Sequence, residues 1–222
     1  MAYRFQPNPY GRSLAPAIPT QSLLAQVLGI TALGLCITAG AAYLFPNVSL
    51  GISWIALIVG FMLLFAINGT RANPAVSLAL FYAFAFLEGI GLSPVISHYV
   101  NSVGPEVVVN AAITTGLGMF ALGAVVYATG LDLRRFQGIV LIALLALIVI
   151  SIVAIFVHFI QPTTISWITL VIFSALVLID FARIRAGGDG LTPVQIAVSI
   201  YLDTINIFLA LLQIMGNRRS DD

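Results

Sequence analysis

Two aspartates occur within segments of this sequence that are otherwise apolar enough to cross a membrane. Asp180 closes the run ISWITLVIFSALVLID, and Asp203 lies midway along TPVQIAVSIYLDTINIFLALLQIMG. A carboxylate at bilayer depth costs about 2.5–3.5 kcal/mol on insertion scales, so it is rarely there for packing alone. A short loop joins the two segments and predicts antiparallel neighbours, so the two carboxylates could share a proton. Such a pair would be a pH-sensitive latch or a weak site for a hard cation, which prefers oxygen ligands.

Both aspartates also have a plainer interpretation. Asp180 precedes Arg183 by three residues, a spacing that favours a local ion pair on one helix face. Asp203 belongs to a polar stripe whose members recur every three or four residues. The stripe consists of Gln195, Ser199, Asp203, Asn206 and Gln213, with Ala210 at the intermediate step between the last two. Because lipid cannot satisfy polar groups, the stripe predicts either a polar path or an interhelical hydrogen-bond ladder.

Further polar residues are ambiguous in the same way. Glu88, within the third apolar run, either extends an acidic route for cations or is a hydrogen-bonded core glutamate. Arg71 follows the second run, where the ordinary role of an arginine is to anchor a helix end at the interface. His98 and His158 fall at helix ends and favour interfacial packing over metal binding. The sequence shows no zinc-ligand cluster, P-loop or Ser/His nucleophile pattern, and we predict no cofactor.

The composition is that of an integral membrane protein. Of 222 residues, 60% are hydrophobic and 8% are charged, against about 25% charged in soluble domains. The net charge of +1 excludes the clustered basic surface of a nucleic-acid-binding protein. Seven runs are long enough to cross a bilayer at about 20 residues per helix. They lie near 22–45, 51–68, 75–99, 107–129, 137–160, 165–185 and 192–215.

These runs predict an all-α membrane bundle with three parts. Residues 1–21 would be a cytoplasmic tail, 22–217 the seven-helix domain, and 218–222 a polar C-terminal tail. Arginines precede the first run and occupy alternate loops, whereas the loops at 46–50, 100–106 and 161–164 contain none. The positive-inside rule then predicts a cytoplasmic N-terminus and an external C-terminus, with Arg218 and Arg219 on the disfavoured side beside two aspartates.

Three stretches resemble the Bax inhibitor-1 family. They are Ser199-Ile-Tyr-Leu-Asp203-Thr-Ile-Asn206 in the last run, Leu178-Ile-Asp180 in the sixth and Gly89-Ile-Gly-Leu-Ser-Pro94 in the third. The resemblance covers nearly all of the membrane region and implies a bacterial member. It implies a bundle whose last helix is wrapped by the other six, and a pH-sensitive calcium leak gated by paired aspartates near the cytoplasmic side.

Residue by residue, the resemblance assigns the gating pair to Asp180 and Asp203, which would also form a weak calcium site. It assigns Arg71 as a basic residue that latches the pair, although family members carry a basic cluster where Ile67-Asn-Gly-Thr-Arg71 offers one arginine. Glu88 has no counterpart in this resemblance. The expected partners are calcium, protons and the lipid of a bacterial inner membrane, with Glu88, Gln195, Ser199, Asn206 and Gln213 along the path.

Other function classes also fit parts of this pattern. Some bacterial relatives are associated with regulating a membrane-bound AAA protease, so a binding protein without transport is the main alternative. A titrating pair would equally serve a proton-coupled exchanger. Presenilin-type proteases also pair aspartates on consecutive late helices, but their Tyr-Asp and Gly-x-Gly-Asp motifs are not found at Asp180 and Asp203. We therefore predict that the protein is not an enzyme.

Overall fold

Seven long helices account for most of the residues that the structure describes. The fold was obtained as a computed structural model, which describes residues 20–157 and 160–220. Residues 1–19 of the predicted tail, His158 and the last two residues lie outside those ranges. The helices are α1 (Thr20–Leu44), α2 (Leu50–Gly69), α3 (Pro74–Ser102), α4 (Pro105–Thr129), α5 (Gln137–Val157), α6 (Pro162–Arg185) and α7 (Pro193–Ser220). All seven are long and apolar enough to span a membrane, which confirms the all-α bundle.

Prolines mark the start of four of these helices. Pro74, Pro105, Pro162 and Pro193 each open a helix, where the missing amide hydrogen would have no helical partner. Pro94, by contrast, lies inside α3 and does not end it. α7 continues to Ser220, three residues into the segment predicted as a tail.

The last helix is the most buried of the seven. In α7, 56% of the spanning segment is buried, compared with 39% or less in every other span and 6% in the α5 span. α7 packs mainly against α1, α3, α4 and α6, whereas α2 packs on α3 and α5 on α6. The C-terminal helix is therefore central, as predicted, but four helices rather than six form most of its immediate surroundings.

A glycine allows α3 to approach α1 closely. A Cβ atom built on Gly89 would lie 2.3 Å from the backbone oxygen of Thr38 and 2.7 Å from the Cβ of Ala41. Small residues at helix crossings in membranes permit such backbone contacts. The Thr38 hydroxyl also donates toward the Ala85 carbonyl at 2.9 Å across the same crossing. The position of α3 beside α1 thus depends on Gly89.

Replacing Gly89 by alanine should separate α1 from α3. Because the obstructing atom belongs to the backbone, we expect Gly89→Ala to lower the unfolding free energy by about 1–3 kcal/mol. Thermal unfolding in detergent measures this loss. Gly29→Ala is the matched control, since nothing lies within 4 Å of a Cβ there. Equal melting temperatures for the two variants would contradict the close approach.

Candidate functional site

The two predicted acids are buried on adjacent helices. Asp180 near the end of α6 and Asp203 in the middle of α7 are each 3% exposed. The charge of Asp180 acts on Asp203, so the structure brings the two within electrostatic range of each other. Within the described residues, the Oδ2 atom of each carboxylate is buried and has no hydrogen-bond partner. Two buried oxygens without a donor are costly, so this region is the leading candidate for a functional site.

Arg183 is the side chain that compensates Asp180. Its Nη1 donates to Oδ1 of Asp180, one turn earlier on α6, and both side chains are more than 90% buried. Its Nη2 donates to Oε1 of Gln137 at the start of α5, at 3.0 Å. The local ion pair that the spacing allowed is therefore formed. It does not exclude the aspartate pair, because Asp203 also lies within range of Arg183.

Two residues of the polar stripe on α7 form hydrogen bonds that join helices. Gln195 donates from Nε2 to Oδ1 of Asn68 at the end of α2, at 3.2 Å. Gln213 accepts from the Ser166 hydroxyl of α6. Asn206 instead donates to the backbone oxygen of Leu202 in its own helix, at 2.8 Å. Gln195 and Gln213 match the ladder interpretation, and the predicted role of all three residues in lining a path stays a prediction.

Ser199 differs from the rest of the stripe. It lies one turn before Asp203 and is close enough to Asp180 on α6 to stabilise the charge of that carboxylate. Ser199 therefore lies near both acids, between the two helices that carry them. Its position supports the prediction that the aspartates belong to one site.

Glu88 belongs to a different polar cluster. It is half-buried on α3 and acts electrostatically on Tyr201, whose hydroxyl lies 2.6 Å from that of Thr38. Tyr201 and Asp203 are two positions apart on a helix that turns about 100° per residue, so they point to opposite sides of α7. The structure therefore does not bring Glu88 together with the aspartate pair.

Arg71 also lies apart from the acids in this state. It is exposed in the loop between α2 and α3, and within the described part of the chain no ion pair joins it to Asp180 or Asp203. Its role as a latch stays a prediction. The exposed His98 packs its ring edge-on against Tyr99, and within residues 20–157 and 160–220 no three His, Cys, Asp or Glu residues form a metal-ligand group.

The loop between α6 and α7 has an unusual backbone. Gly187, Gly188, Asp189 and Gly190 are consecutive residues with positive φ, at 93°, 93°, 51° and 78°. Three glycines accept this conformation without steric cost, and aspartate is among the few other residues that tolerate it. Thr192 and Gln195 then cap the N-terminus of α7 reciprocally. The Gln195 amide donates to the Thr192 hydroxyl at 3.2 Å, and the Thr192 amide donates to Oε1 of Gln195 at 3.1 Å. This tight loop keeps the acid-bearing helices adjacent.

Asp189 is fixed on the surface by the loop between α4 and α5. Its Oδ1 accepts from Nη1 of Arg134 at 2.7 Å, and its Oδ2 faces Nε of Arg183 at 3.9 Å. Arg134 also makes a bidentate pair with Asp132. Hydrogen bonds from the Arg134 side chain and backbone lower the pKa of Asp132 to about 2, so Asp132 is charged at neutral pH. A series of alternating charges thus runs from Asp132 on the surface through Arg134, Asp189 and Arg183 to the buried Asp180.

Removing the Arg183 charge should be costly because it leaves a buried carboxylate uncompensated. We expect Arg183→Ala to lower the unfolding free energy by about 3–5 kcal/mol at neutral pH. The double variant Asp180→Asn/Arg183→Ala should recover part of the loss. Denaturant unfolding in detergent micelles measures both.

The control for these variants is the exposed ion pair between Arg134 and Asp132. Arg134→Ala should cost much less, since water screens the charges that it leaves behind. If Arg183→Ala were as mild as Arg134→Ala, the ion pair at Asp180 would not be compensating a buried charge.

The sequence comparisons point to one family. The sequence model of the family described as "inhibitor of apoptosis-promoting Bax1" matches residues 20–220. An uncharacterized protein of Campylobacter jejuni is 32% identical over 173 residues, which cover 75% of this chain and 73% of the relative. One of Borreliella burgdorferi is 30% identical, covering 89% and 93%. An uncharacterized membrane protein of Vibrio cholerae is 26% identical, covering 95% and 96%.

Proposed function

Because this chain belongs to the Bax inhibitor-1 family of membrane proteins, we propose that it is a pH-sensitive calcium leak gated by Asp180 and Asp203. The observation that carries the proposal is the pair of buried Oδ2 atoms, one on each acid, that have no hydrogen-bond partner in the described structure. An ordinary structural pair of acids would have its oxygens satisfied by donors. The lack of donors at these two oxygens supports a role in taking up a proton or a cation.

The gating step follows from the electrostatics of two nearby acids. When one proton is held in common, it satisfies both oxygens and keeps α6 and α7 joined. When the proton leaves, two like charges remain in a poorly polar environment and repel each other. The repulsion favours separation of the two helices at this end of the bundle. A difference of a few kcal/mol between the joined and separated states suffices to change their populations.

Calcium is the ion that the available ligands suit best. Carboxylate and hydroxyl oxygens are hard ligands, and Asp180, Asp203 and Ser199 supply them on two adjacent helices. Calcium usually takes six to eight oxygens, so these few ligands would hold it weakly. Weak binding suits a leak, in which the ion has to leave as readily as it enters.

The remaining site residues take secondary places in this proposal. Gln195 and Gln213 would line the path when their interhelical bonds open, together with Asn206, and Glu88 would serve as a polar group elsewhere along it. Arg71 would latch the acids in another state of the gate. The distribution of arginine supports an orientation with the aspartate end of the bundle on the cytoplasmic side of a bacterial inner membrane and the C-terminus outside.

The proposal is tested by calcium flux into liposomes that contain the purified protein. We expect Asp180→Asn and Asp203→Asn each to abolish the dependence of flux on pH, because an amide cannot take part in a shared proton. Arg71→Gln should alter the flux at a given pH if Arg71 latches the acids. Glu106→Gln, at the start of α4, removes a carboxylate outside the site and should leave the profile unchanged.

Two outcomes would overturn the gate. The first is an unchanged pH profile in both aspartate variants. The second is absence of flux from the unaltered protein in liposomes in which it is correctly folded. If the purified protein showed no flux but bound a membrane AAA protease complex, a non-transporting regulator of that protease would replace the channel as the proposed function.

A further inference from the structure

Arg183 forms ion pairs with two carboxylates, Asp180 of the gate and Asp189 outside it. We propose that Asp189 is a second acceptor for Arg183, and that transfer of the guanidinium from Asp180 to Asp189 admits the cation to the aspartate pair. Asp189 is then a positioning residue that regulates the gate. The inference rests on the proposed function, because it concerns access to the same two acids.

The first step is that Arg183 obstructs the site in the structure described. Its Nη1 is bound to Oδ1 of Asp180 within a pair that is more than 90% buried. A guanidinium in that position repels a second cation through the same low-polarity surroundings that strengthen its bond to Asp180. Calcium can use Asp180 as a ligand only when this positive charge moves away. A mobile Arg183 therefore needs another partner.

The second step is that Asp189 already presents such a partner. Its Oδ2 lies 3.9 Å from Nε of Arg183, beyond hydrogen-bonding distance but close enough for a change of side-chain rotamer to close the gap. Its other oxygen, Oδ1, is held at 2.7 Å by Arg134. Asp189 can thus accept Arg183 through one oxygen without releasing Arg134 from the other. The Asp189 carboxylate therefore already faces Arg183 before the guanidinium moves.

The third step is that the backbone holds Asp189 in this position at some cost. Asp189 is the one non-glycine residue with positive φ in the described ranges, and it lies within a run of glycines that share this conformation. A residue in this conformation persists only where its surroundings determine it. Here Arg134 holds its side chain, and the hydrogen bond from Gly188 N to Arg183 O, at 2.9 Å, ties the loop to α6.

The fourth step is that few other charges compete for Arg183. α1 and α5, which pack against α6, have no charged residue in Thr20–Leu44 and Gln137–Val157. Neighbouring Arg185 is used to bind backbone oxygens at the end of α4, at 2.8 Å from Val126 and 2.6 Å from Gly130. Asp132 is bound to Arg134 on the surface. The choice open to Arg183 is therefore between the acids of the gate and Asp189.

The test compares two surface aspartates that both pair with Arg134. Asp189→Asn removes the second acceptor, so Arg183 stays on Asp180. We expect the calcium concentration for half-maximal flux to rise about fivefold or more, with the maximal flux nearly unchanged. Asp189→Glu should restore the original value. Asp132→Asn removes a carboxylate that pairs with Arg134 but not with Arg183. It should change neither the calcium concentration for half-maximal flux nor the maximal flux.

A second measurement follows Arg183 without using flux. In protein labelled with nitrogen-15 and placed in liposomes, the guanidinium resonances of Arg183 are those that Arg183→Lys removes. Addition of calcium chloride should shift them as the guanidinium changes partner, and Asp189→Asn should abolish the shift while Asp132→Asn preserves it. A purely structural role for Asp189 would not alter this response to calcium.

The two measurements separate the inference from the proposed function. If flux depends on Asp180 and Asp203 but Asp189→Asn behaves like Asp132→Asn in both measurements, the inference is wrong and the channel stands. If the unaltered protein passes no calcium while the Arg183 resonances still respond to it through Asp189, the channel is wrong and the transfer of Arg183 stands.

Discussion

Charge buried in a membrane protein must find its partner inside the protein, and this constraint organises the end of the bundle where α6 meets α7. Asp180 is paired with Arg183 on its own helix and interacts with Ser199 on the next, and Arg183 in turn binds Gln137 of α5. The interactions with Ser199 and Gln137 connect α6 to α7 and to α5. The exception is the Oδ2 atom of each acid, which the described contacts leave unsatisfied. The other side-chain contacts of the site are thus formed, and in the described structure only these two oxygens lack a donor.

The sequence was sufficient to predict the architecture because the membrane imposes a simple pattern on it. Seven apolar runs, separated by prolines and glycines, became seven helices with boundaries within a few residues of those expected, and α7 is central, as the family resemblance implied. The polar stripe on α7 could not indicate what each of its members binds. Gln195 and Gln213 bond to Asn68 and Ser166, which are 127 and 47 residues distant along the chain.

Within the site, short-range spacing was more informative than long-range placement. The three-residue separation of Asp180 and Arg183 predicted an ion pair that the structure contains, since α-helical geometry alone brings such residues together. Glu88 was grouped with the acids because it is another carboxylate at membrane depth. It lies instead with Tyr201 and Thr38, because the rotation of α7 turns Tyr201 away from Asp203. Which polar residues come together depends on the rotation of each helix and on the order in which the helices pack. The sequence of a single apolar run determines neither.

The outlying position of α5 gives the surrounding lipid a mechanical connection to the interior. Only 6% of its spanning segment is buried, so protein contacts constrain its tilt less than that of any other span. Its first residue, Gln137, holds one nitrogen of Arg183. The helix with the fewest protein contacts is therefore bonded directly to the guanidinium that neutralises Asp180.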